Sequence, residues 1–326
     1  MRAYARTMRC ACVLLALAPL IGACTAGDGA SPRPTSGSPV ATAPTAPGPS
    51  RTGGSPLPTA APDGAVELVA VGDIARCSDE ADDAVGMAVA DEEADVVALL
   101  GDLVYPDGTP ETYRDCFLPT WGALLERTRP AVGNHDLSAD GGAAYWALFG
   151  ERAGRPDEGW YSYEAGSWHV VVLNSNCQLV ACTPGSPQHD WLVADLEATS
   201  ARCVLAYWHH PMTASGTHGR YPPVDPLWSA AVEGGVDLVL TGHEHYYERL
   251  APFGSNVAPD PDGVPLIVAG TGGAGLRPRQ DVVAGSEVII EDVHGYVRLS
   301  LAAGGYTFEF VDLDGEVRDR GSASCR

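Results

Sequence analysis

Residues Glu67–Asp73 read ELVAVGD, a short apolar run that ends in glycine and aspartate. A run of this length, rich in β-forming residues and closed by glycine, is typical of a buried strand in a parallel sheet. The arrangement recurs at Asp95–Leu100 before Gly101-Asp102, Arg129–Val132 before Gly133-Asn134-His135-Asp136, Cys203–Trp208 before His209-His210, and Val236–Leu240 before Gly242-His243-Glu244-His245. Ligands of open α/β sheets bind beyond the carboxyl ends of such strands. The sequence therefore predicts one mixed oxygen and nitrogen site, which suits two transition-metal ions.

Each of these motifs has a simpler explanation when it is taken alone. Aspartate after glycine is common in turns and at helix N-caps, which would account for Asp73 or Asp102 separately. Asn134-His135 is also compatible with a turn closed by an Asx hydrogen bond. Five such motifs in this order, each at the end of a predicted strand, are hard to explain by coincidence. We therefore interpret them as one metal centre.

The pattern of apolar residues also predicts the fold class. Strand and helix patterns alternate from about residue 65, and a tail of consecutive β-strands with glycine turns follows. Predicted strands lie at 66–71, 95–100, 160–165, 168–173, 264–270, 295–301 and 305–311, with two more that end at His209 and Thr241. Predicted helices lie near 79–92, 111–127, 143–149 and 187–199. This order predicts an α/β fold with two packed mixed β-sheets flanked by helices, formed by one domain at 65–326.

The motif set resembles the calcineurin-like metallophosphoesterase superfamily over nearly all of residues 66–249. Most members carry Asp-x-His in the first motif, where this chain has Ala75. The second motif reads GDLVY and ends at Tyr105, which is similar to the Gly-Asp-x-x-Tyr of purple acid phosphatases. The lost histidine and the gained tyrosine are complementary, as an exchange of ligands at one metal would produce. The resemblance implies an αββα sandwich and a branch close to purple acid phosphatases.

The resemblance also implies a dimetal site in which Asp102 bridges the two ions. Ligands of a ferric ion would be Asp73, Asp102, Tyr105 and His245. Ligands of a divalent ion (Fe, Zn or Mn) would be Asp102, Asn134, His209 and His243. His135 and His218 would contact the phosphate or its leaving group. The implied activity is hydrolysis of phosphate monoesters by attack of a metal-bound hydroxide.

Three features near these motifs leave alternatives open. His218 lies where plant enzymes of this type place a catalytic histidine, but it could equally be a solvated loop residue, and Gly219 replaces a second histidine that the family can carry. His210 is interpreted as a supporting residue rather than a ligand. The glycine-rich stretch Gly270–Gly275 lacks the Lys-Ser/Thr of a P-loop, so we interpret it as a turn or as the mouth of the site.

Two other functions remain compatible with the sequence. A phosphodiesterase acting on nucleotides or phospholipid headgroups would use the same ligands with a different pocket. A non-catalytic surface binding lipoprotein is disfavoured, because it would be expected to have lost at least one of the seven ligands. The chain has 42 Asp and Glu against 20 Lys and Arg, for a formal net charge of -22. Such a charge repels polyphosphate backbones, so we expect no nucleic-acid partner. The resemblance implies a small phosphate ester as substrate.

The amino terminus predicts export. Three arginines precede the apolar stretch 11–22, in the charge order and length of a signal peptide (1–23). This stretch is well short of the ~18 apolar residues that a membrane-spanning helix needs. It ends in IGAC, which resembles the lipobox of bacterial lipoproteins and would place a lipid on Cys24; an ordinary cleaved signal is the alternative. Residues 24–64 are rich in Pro, Gly, Ser and Thr and predict a disordered tether. The expected location is the outer face of the bacterial cell membrane, reached through the lipid anchor, or the medium.

Six cysteines remain after Cys24, and an even number in an exported protein indicates disulfides. Six cysteines allow 15 pairings. The pairing that we favour is Cys77–Cys116, Cys177–Cys182 and Cys203–Cys325, of which only the short Cys177–Cys182 loop rests on more than a guess. A zinc or thiol-redox site is the alternative, although no CxxC occurs in the mature chain.

Overall fold

The structure, a computed structural model, describes residues 64–78 and 80–326. The strands are β1 (Val66–Val71), β2 (Ala75–Arg76), β3 (Val96–Leu99), β4 (Val104–Tyr105), β5 (Thr128–Pro130), β6 (Tyr161–Ala165), β7 (Trp168–Val172), β8 (Cys203–Tyr207), β9 (Leu238–Thr241), β10 (Tyr247–Phe253), β11 (Val264–Ala269), β12 (Ser286–Ile290), β13 (Gly295–Ala302), β14 (Gly305–Asp312) and β15 (Val317–Ser324). The α-helices are α1 (Ala81–Asp91), α2 (Pro110–Thr112), α3 (Leu118–Trp121), α4 (Ala143–Phe149), α5 (Pro187–Ala198) and α6 (Asp225–Glu233). A π-helical turn at Tyr113–Phe117 and 3-10 turns at Gly122–Arg127, Asp140–Gly142, Gly150–Ala153 and Pro222–Val224 complete the helical elements.

Two large mixed sheets carry the fold. The first has the strand order β15-β14-β13-β1-β3-β5 and the second the order β12-β10-β11-β9-β8-β7-β6, while β2 and β4 form a small separate pair. Strands β1, β3 and β5 run parallel, as do β7, β8, β9 and β11, and the other pairings in the two sheets are antiparallel. The predicted α/β fold with two mixed sheets is confirmed.

The alternation of side chains along β1 shows how the layers pack. Leu68 and Ala70 belong to an apolar core that the inner faces of both sheets share. Val69 and Val71 point the other way, into a second core under α1, α3 and α4. A third core lies between the outer face of the second sheet and helices α5 and α6. Because successive residues of a strand face opposite sides, β1 contributes side chains to two of the three cores.

The predicted helix at 111–127 is wrong as a single element, because the segment is divided into α2, the π-helical turn, α3 and a 3-10 turn. Pro119 lies near the start of α3, where a proline begins a helical segment more readily than it continues one. Five strands (β2, β4, β10, β12 and β15) and helix α6 were not predicted. Strand β15 is largely exposed and rich in charged residues, so it lacks the apolar signal of a buried strand.

The six cysteines of the described chain form three disulfides, Cys77–Cys116, Cys177–Cys182 and Cys203–Cys325, the pairing that the sequence analysis favours. No helix within residues 64–78 and 80–326 is both long and apolar enough to cross a membrane. The signal peptide, Cys24 and all of the predicted tether but Gly64 lie outside the described residues and stay predictions.

Candidate metal centre

Four of the predicted ligands follow the carboxyl ends of central parallel strands. Asp73 comes after β1 and Asp102 after β3 in the first sheet, while His209 comes after β8 and His243 after β9 in the second. Because the two sheets are stacked, their strand ends bring these four side chains to one place, although they are separated in sequence by up to 170 residues.

The two carboxylates are bound in the same way. Asp73 accepts the backbone N–H of His243 at Oδ2 (2.7 Å), and Asp102 accepts the backbone N–H of His135 at Oδ1 (2.8 Å). The other oxygen of each carboxylate faces the hydroxyl of Tyr105, at 2.7 Å for Asp73 and 3.1 Å for Asp102. The same hydroxyl lies 3.2 Å from Nε2 of His245. Tyr105, the residue that distinguishes the purple acid phosphatase motif, is therefore in contact with three of the other predicted ligands.

The remaining ligands complete a second cluster around Asp102. Nε2 of His209 lies 3.1 Å from Oδ2 of Asp102 and 3.1 Å from Nδ1 of His243. Oδ1 of Asn134 is buried and has no hydrogen-bond partner among the described residues. All seven predicted ligands thus lie at this end of the sheets, with Asp102 between the two groups, as a bridging residue requires.

The orientation of two imidazoles is set by backbone carbonyls, which only accept hydrogen bonds. His209 donates Nδ1–H to the carbonyl of Leu100 (2.9 Å), and His245 donates Nδ1–H to the carbonyl of Gly275 (2.9 Å). In each neutral ring the lone pair is therefore on Nε2, which faces the cluster. This is how ligating histidines are commonly held ready for a metal.

The backbone at the site is strained. Asp73, Asp102 and His243 have φ values of 59°, 53° and 72°, in the left-handed region that non-glycine residues seldom adopt. Gly133 is required for a different reason, because a Cβ at that position would collide with the backbone nitrogen and the carboxylate of Asp102. Strain of this kind collects where the surrounding structure must hold side chains in a functional arrangement.

The seven predicted ligands together have the properties of a metal-binding site. Several lone pairs converge on one small buried region, and a single phenolic proton cannot satisfy two carboxylates and an imidazole. Burial and the charges of Asp102 and Asp73 raise the pKa of Tyr105 well above its ordinary value, so a phenolate here depends on added positive charge. Burial disfavours a charged His209, but the charge of Asp102 raises its pKa to about 9. The cluster therefore stabilises positive charge at its centre, which is the property that a cation site needs.

Asp136 is a supporting residue that the sequence analysis quoted but did not assign. Its carboxylate accepts hydrogen bonds from the backbone N–H groups of Gly133 (2.8 Å), Asp102 (3.0 Å) and Leu103 (2.9 Å) and from the hydroxyl of Tyr113 (2.7 Å). Burial and the neighbouring Asp102 raise the pKa of Asp136 to about 6. It joins the loop that carries Asn134 to the loop that carries Asp102. An aspartate directly after Asn-His was the only signal for this role.

The two predicted catalytic histidines lie on either side of the cluster. The ring of His135 packs against Tyr105, with ring centroids 4.5 Å apart, and its Nδ1 donates to the carbonyl of Pro106 at 2.6 Å. The ring of His218 packs against His243, with centroids 4.2 Å apart. Its backbone N–H donates to the buried carboxylate of Glu244 (2.7 Å) and its Nδ1 lies 3.5 Å from the same group. His218 is thus anchored at the site rather than free in a loop.

His210 lies next to the cluster but is held from behind. Its Nδ1 contacts the hydroxyl of Ser175 at 2.8 Å, and one ring nitrogen lies within 4.8 Å of nitrogens of His209 and His243. Burial and the neighbouring His209 lower the pKa of His210 to about 3, so the ring stays neutral. The glycine-rich stretch lies at the site as well, because Ala274 N–H donates to the carbonyl of Asp73 and Arg277 N–H donates to the carbonyl of His245.

Comparison with known proteins identifies the class. The family model for calcineurin-like phosphoesterases matches residues 67–247, and the chain belongs to that family of phosphoric ester hydrolases. Its curated relatives include two proteins of Arabidopsis thaliana, purple acid phosphatase 15 (27% identical over 55% of this chain) and purple acid phosphatase 18 (31% identical over 54%). The chain covers 40% and 43% of their lengths, respectively.

A solved structure agrees with the fold. A purple acid phosphatase from yellow lupin (Lupinus luteus) seeds aligns with a TM-score of 0.69 at 18% identity, over 80% of this chain and 54% of that one. The predicted family, and the resemblance to the purple acid phosphatase branch, are confirmed.

Proposed function

We propose that this protein is a dimetal acid phosphatase that hydrolyses phosphate monoesters. The observation that carries the proposal is the contact of the Tyr105 hydroxyl with Asp73, Asp102 and His245. This contact supports the hypothesis that Tyr105 is a metal ligand in exchange for the histidine that most members of the superfamily carry. The names of the curated relatives support the choice of monoesters as substrates.

We assign the seven predicted ligands to two ions. One ion, for which we propose Fe(III), would be held by Asp73, Asp102, Tyr105 and His245. The other, a divalent Fe, Zn or Mn, would be held by Asp102, Asn134, His209 and His243. Bound ions of this kind supply charge stabilisation for the phosphoryl oxygens and activate water as a nucleophile near neutral pH. A phenolate and carboxylates are hard, anionic donors, which favour ferric iron over divalent ions.

We assign two histidines, His135 and His218, to the departing alcohol. Nδ1 of His135 is occupied by the carbonyl of Pro106, so Nε2 is the nitrogen left to act on a substrate. His218 is fixed by Glu244 through its backbone and lies near that carboxylate through Nδ1. A group that holds a proton at the leaving oxygen lowers the cost of forming an alkoxide. His135 and His218 are the residues that we assign to this task.

Metal analysis and a panel of esters test the proposal. Protein from residue 65 onward, loaded with iron and a divalent ion, is expected to contain two metals per chain and to hydrolyse p-nitrophenyl phosphate faster than bis(p-nitrophenyl) phosphate. A preference for the diester would assign the site to a phosphodiesterase. Protein that binds metal but hydrolyses neither ester would favour the non-catalytic alternative.

The assignment of iron has its own spectroscopic test. Ferric protein with a bound phenolate absorbs visible light, so the iron-loaded protein should be coloured and Tyr105→Phe should lose the band. Tyr113→Phe is a matched control, because that buried hydroxyl also contacts an aspartate of the site region, Asp136. Colourless iron-loaded protein, or a band that survives in Tyr105→Phe, would place the chain in another branch of the family.

For location, we propose export and a lipid anchor on Cys24, supported by the IGAC sequence and by the apolar stretch before it. Full-length protein expressed in a bacterial host should pellet with membranes and require detergent for extraction. Cys24→Ala should yield soluble or unprocessed protein. Wild-type protein found in the medium with an amino terminus well downstream of Cys24 would contradict the anchor.

A further inference from the structure

A cavity of about 490 Å³ opens beside the metal cluster. Its inner end is formed by three residues that the proposed function already uses, Asn134, His218 and His243. Any group that fills it would therefore lie next to a phosphate held at the metal centre. Cavities of this size bind parts of small molecules, and they commonly combine apolar walls with a few polar groups.

The outer walls come from two loops, of which only the second carries predicted ligand or catalytic residues. One is the loop after β7, which contributes Asn176, Gln178 and Leu179; the other follows β8 and contributes His210 and Tyr221. Among the described residues that line the cavity, none is Asp, Glu, Lys or Arg. In a chain with a net charge of -22, an outer wall whose described residues include no Asp, Glu, Lys or Arg distinguishes between ligands by their charge. A charged group moved into it from water would lose hydration without gaining an ionic partner.

Both walls are held in place before any ligand arrives. The disulfide Cys177–Cys182 closes the first loop around Gln178 and Leu179. On the second wall, the ring of Tyr221 stacks on His210, with centroids 4.6 Å apart and planes inclined by 21°. Gln178 of the first wall and Tyr221 of the second both line the cavity. A preformed wall spares the ligand the entropy cost of ordering it.

Leu179 is the feature that points to an apolar ligand. Its side chain is 69% exposed, the highest exposure of any large hydrophobic residue in the described chain. The Cys177–Cys182 disulfide closes the loop that carries Leu179, and the residue lines the cavity rather than packing in the core. An apolar group bound there would remove this surface from water, which is favourable in proportion to the area buried.

We propose that this cavity binds the alcohol part of the phosphate ester and selects uncharged, apolar or aromatic alcohols. Leu179 and Tyr221 supply the apolar contact, and the amides of Asn176 and Gln178 supply hydrogen bonds for a neutral polar substituent. The proposal rests on the proposed function, because it assumes that the phosphate lies at the metal centre. Leu179 and Tyr221 act on specificity and have no part in the chemical step.

Two esters of equal leaving-group acidity test the selection. Hexyl phosphate ends in a methyl group, and 6-phosphonooxyhexanoate carries a remote carboxylate on the same chain length. Metal-loaded wild type should favour hexyl phosphate in kcat/KM by about tenfold or more, since the apolar end gains burial and the carboxylate loses hydration. Leu179→Asp should lower kcat/KM for hexyl phosphate by about tenfold and narrow or abolish the preference. Tyr221→Ala should act in the same direction.

Leu313→Asp is the matched control, because Leu313 is also an exposed leucine, at 40%, in the turn between β14 and β15. It should leave both kcat/KM values unchanged, and all variants should keep the wild-type metal content. Binding of hexylphosphonate and 6-phosphonohexanoate, measured by calorimetry, gives a readout that does not depend on turnover. The same order of affinities and the same loss in Leu179→Asp are expected.

The outcomes separate the two proposals. If the esters are hydrolysed at equal kcat/KM and Leu179→Asp changes nothing, the cavity assignment is overturned and the proposed function stands. If neither ester is hydrolysed but hexylphosphonate still binds more tightly, the proposed function fails and the cavity assignment stands. If there is neither hydrolysis nor selective binding, both are wrong.

Discussion

The loops beyond β1, β3, β8 and β9 and the meander β13-β14-β15 belong to the same fold but are built differently. The loops hold three non-glycine residues at positive φ and buried carboxylates. The neighbouring loop after β5 adds a buried amide oxygen at Asn134 that has no partner among the described residues. The meander pairs in almost unbroken register, and within Gly295–Ser324 only Gly315 has a positive φ. The loops therefore have a strained backbone and unfavourable electrostatics, whereas the meander has regular β-sheet geometry.

This contrast shows which region stabilises the fold and which region costs free energy. The meander buries apolar side chains such as Leu299, Leu301 and Phe310 in the core between the sheets. That burial stabilises the fold in proportion to the apolar area removed from water. The loops place like charges and lone pairs together, which costs free energy until a cation arrives. Mutations in the two regions should therefore separate activity from stability.

The largest effect is expected at Asp102. Asp102→Asn removes the negative charge that two cations would share, so both sites should weaken and activity should fall by about 10³-fold or more. The fold should persist, because its cores and disulfides are untouched. Metal content, turnover and thermal unfolding measured on the same preparation check this. An Asp102→Asn protein with near wild-type turnover would refute the dimetal assignment.

The opposite behaviour is expected in the meander. Leu301→Ala opens a cavity in the core between the sheets, where Leu301 is fully buried, and should lower the free energy of unfolding by about 2–5 kcal/mol. Turnover per folded molecule should stay close to wild type. Chemical denaturation and active-site metal titration measure the two quantities. Leu313→Ala, at a surface position, should change neither; a fall in turnover for folded Leu301→Ala would show that the regions are not independent.

Asp136 lies beside the candidate metal centre but also supports the backbone, so its substitution should affect both metal binding and stability. Asp136→Asn replaces an acceptor of four hydrogen bonds with a group that must turn an N–H₂ toward some of the same donors. We expect a loss of about 1–3 kcal/mol in unfolding free energy together with weaker metal binding. Asp107→Asn, an exposed change nearby, serves as the control. Reduced stability with unchanged metal affinity would mean that Asp136 supports the fold alone.

The smallest effect is expected at the buried His169, which forms a charge cluster with Asp195 and Glu164 outside both the site loops and the meander. Hydrogen bonds from His169 to Asp195 (2.7 Å) and Glu164 (2.8 Å) raise the pKa of His169 against the opposing effect of burial. A raised folded-state pKa gives stability that is full below the unfolded value of about 6.5 and is lost as pH rises through the folded value. His169→Gln should therefore destabilise the protein more at pH 5.5 than at pH 9. His189→Gln is the control, and an equal loss at both pH values would contradict the prediction.

Much of the site was predictable because its signal is local. An apolar run such as ELVAV predicts a strand from its own composition, and the residue that follows it lies at the carboxyl end whatever the strand later pairs with. Every parallel strand of a sheet delivers its carboxyl end to the same edge. The grouping of Asp73 with Asp102, and of His209 with His243, therefore follows from sequence, whereas the stacking of the two sheets joins the two pairs. The exchange of Ala75 for a ligand at Tyr105 could also be predicted, since both lie in short motifs.

The elements that were missed have no such local signal. Strand β10 carries the buried Glu248, whose carboxylate is satisfied by Ser215, a residue 33 positions away. A charged residue in a strand argues against burial until its partner is known. Likewise the helix predicted at 111–127 had helical composition, and its division into shorter turns became evident only in the packed structure.

Sequence by itself thus determined the layered α/β fold, the set of candidate ligands and the family, because strand periodicity and short motifs act through neighbours in the chain. Only the tertiary structure decided which side chains surround that set. Asp136 braces Asp102, Glu244 anchors His218, and Leu179 meets Tyr221 across a cavity. These contacts join ordinary residue types over long sequence distances. Their partners are set by how the two sheets and their loops pack, which no short stretch of the chain encodes.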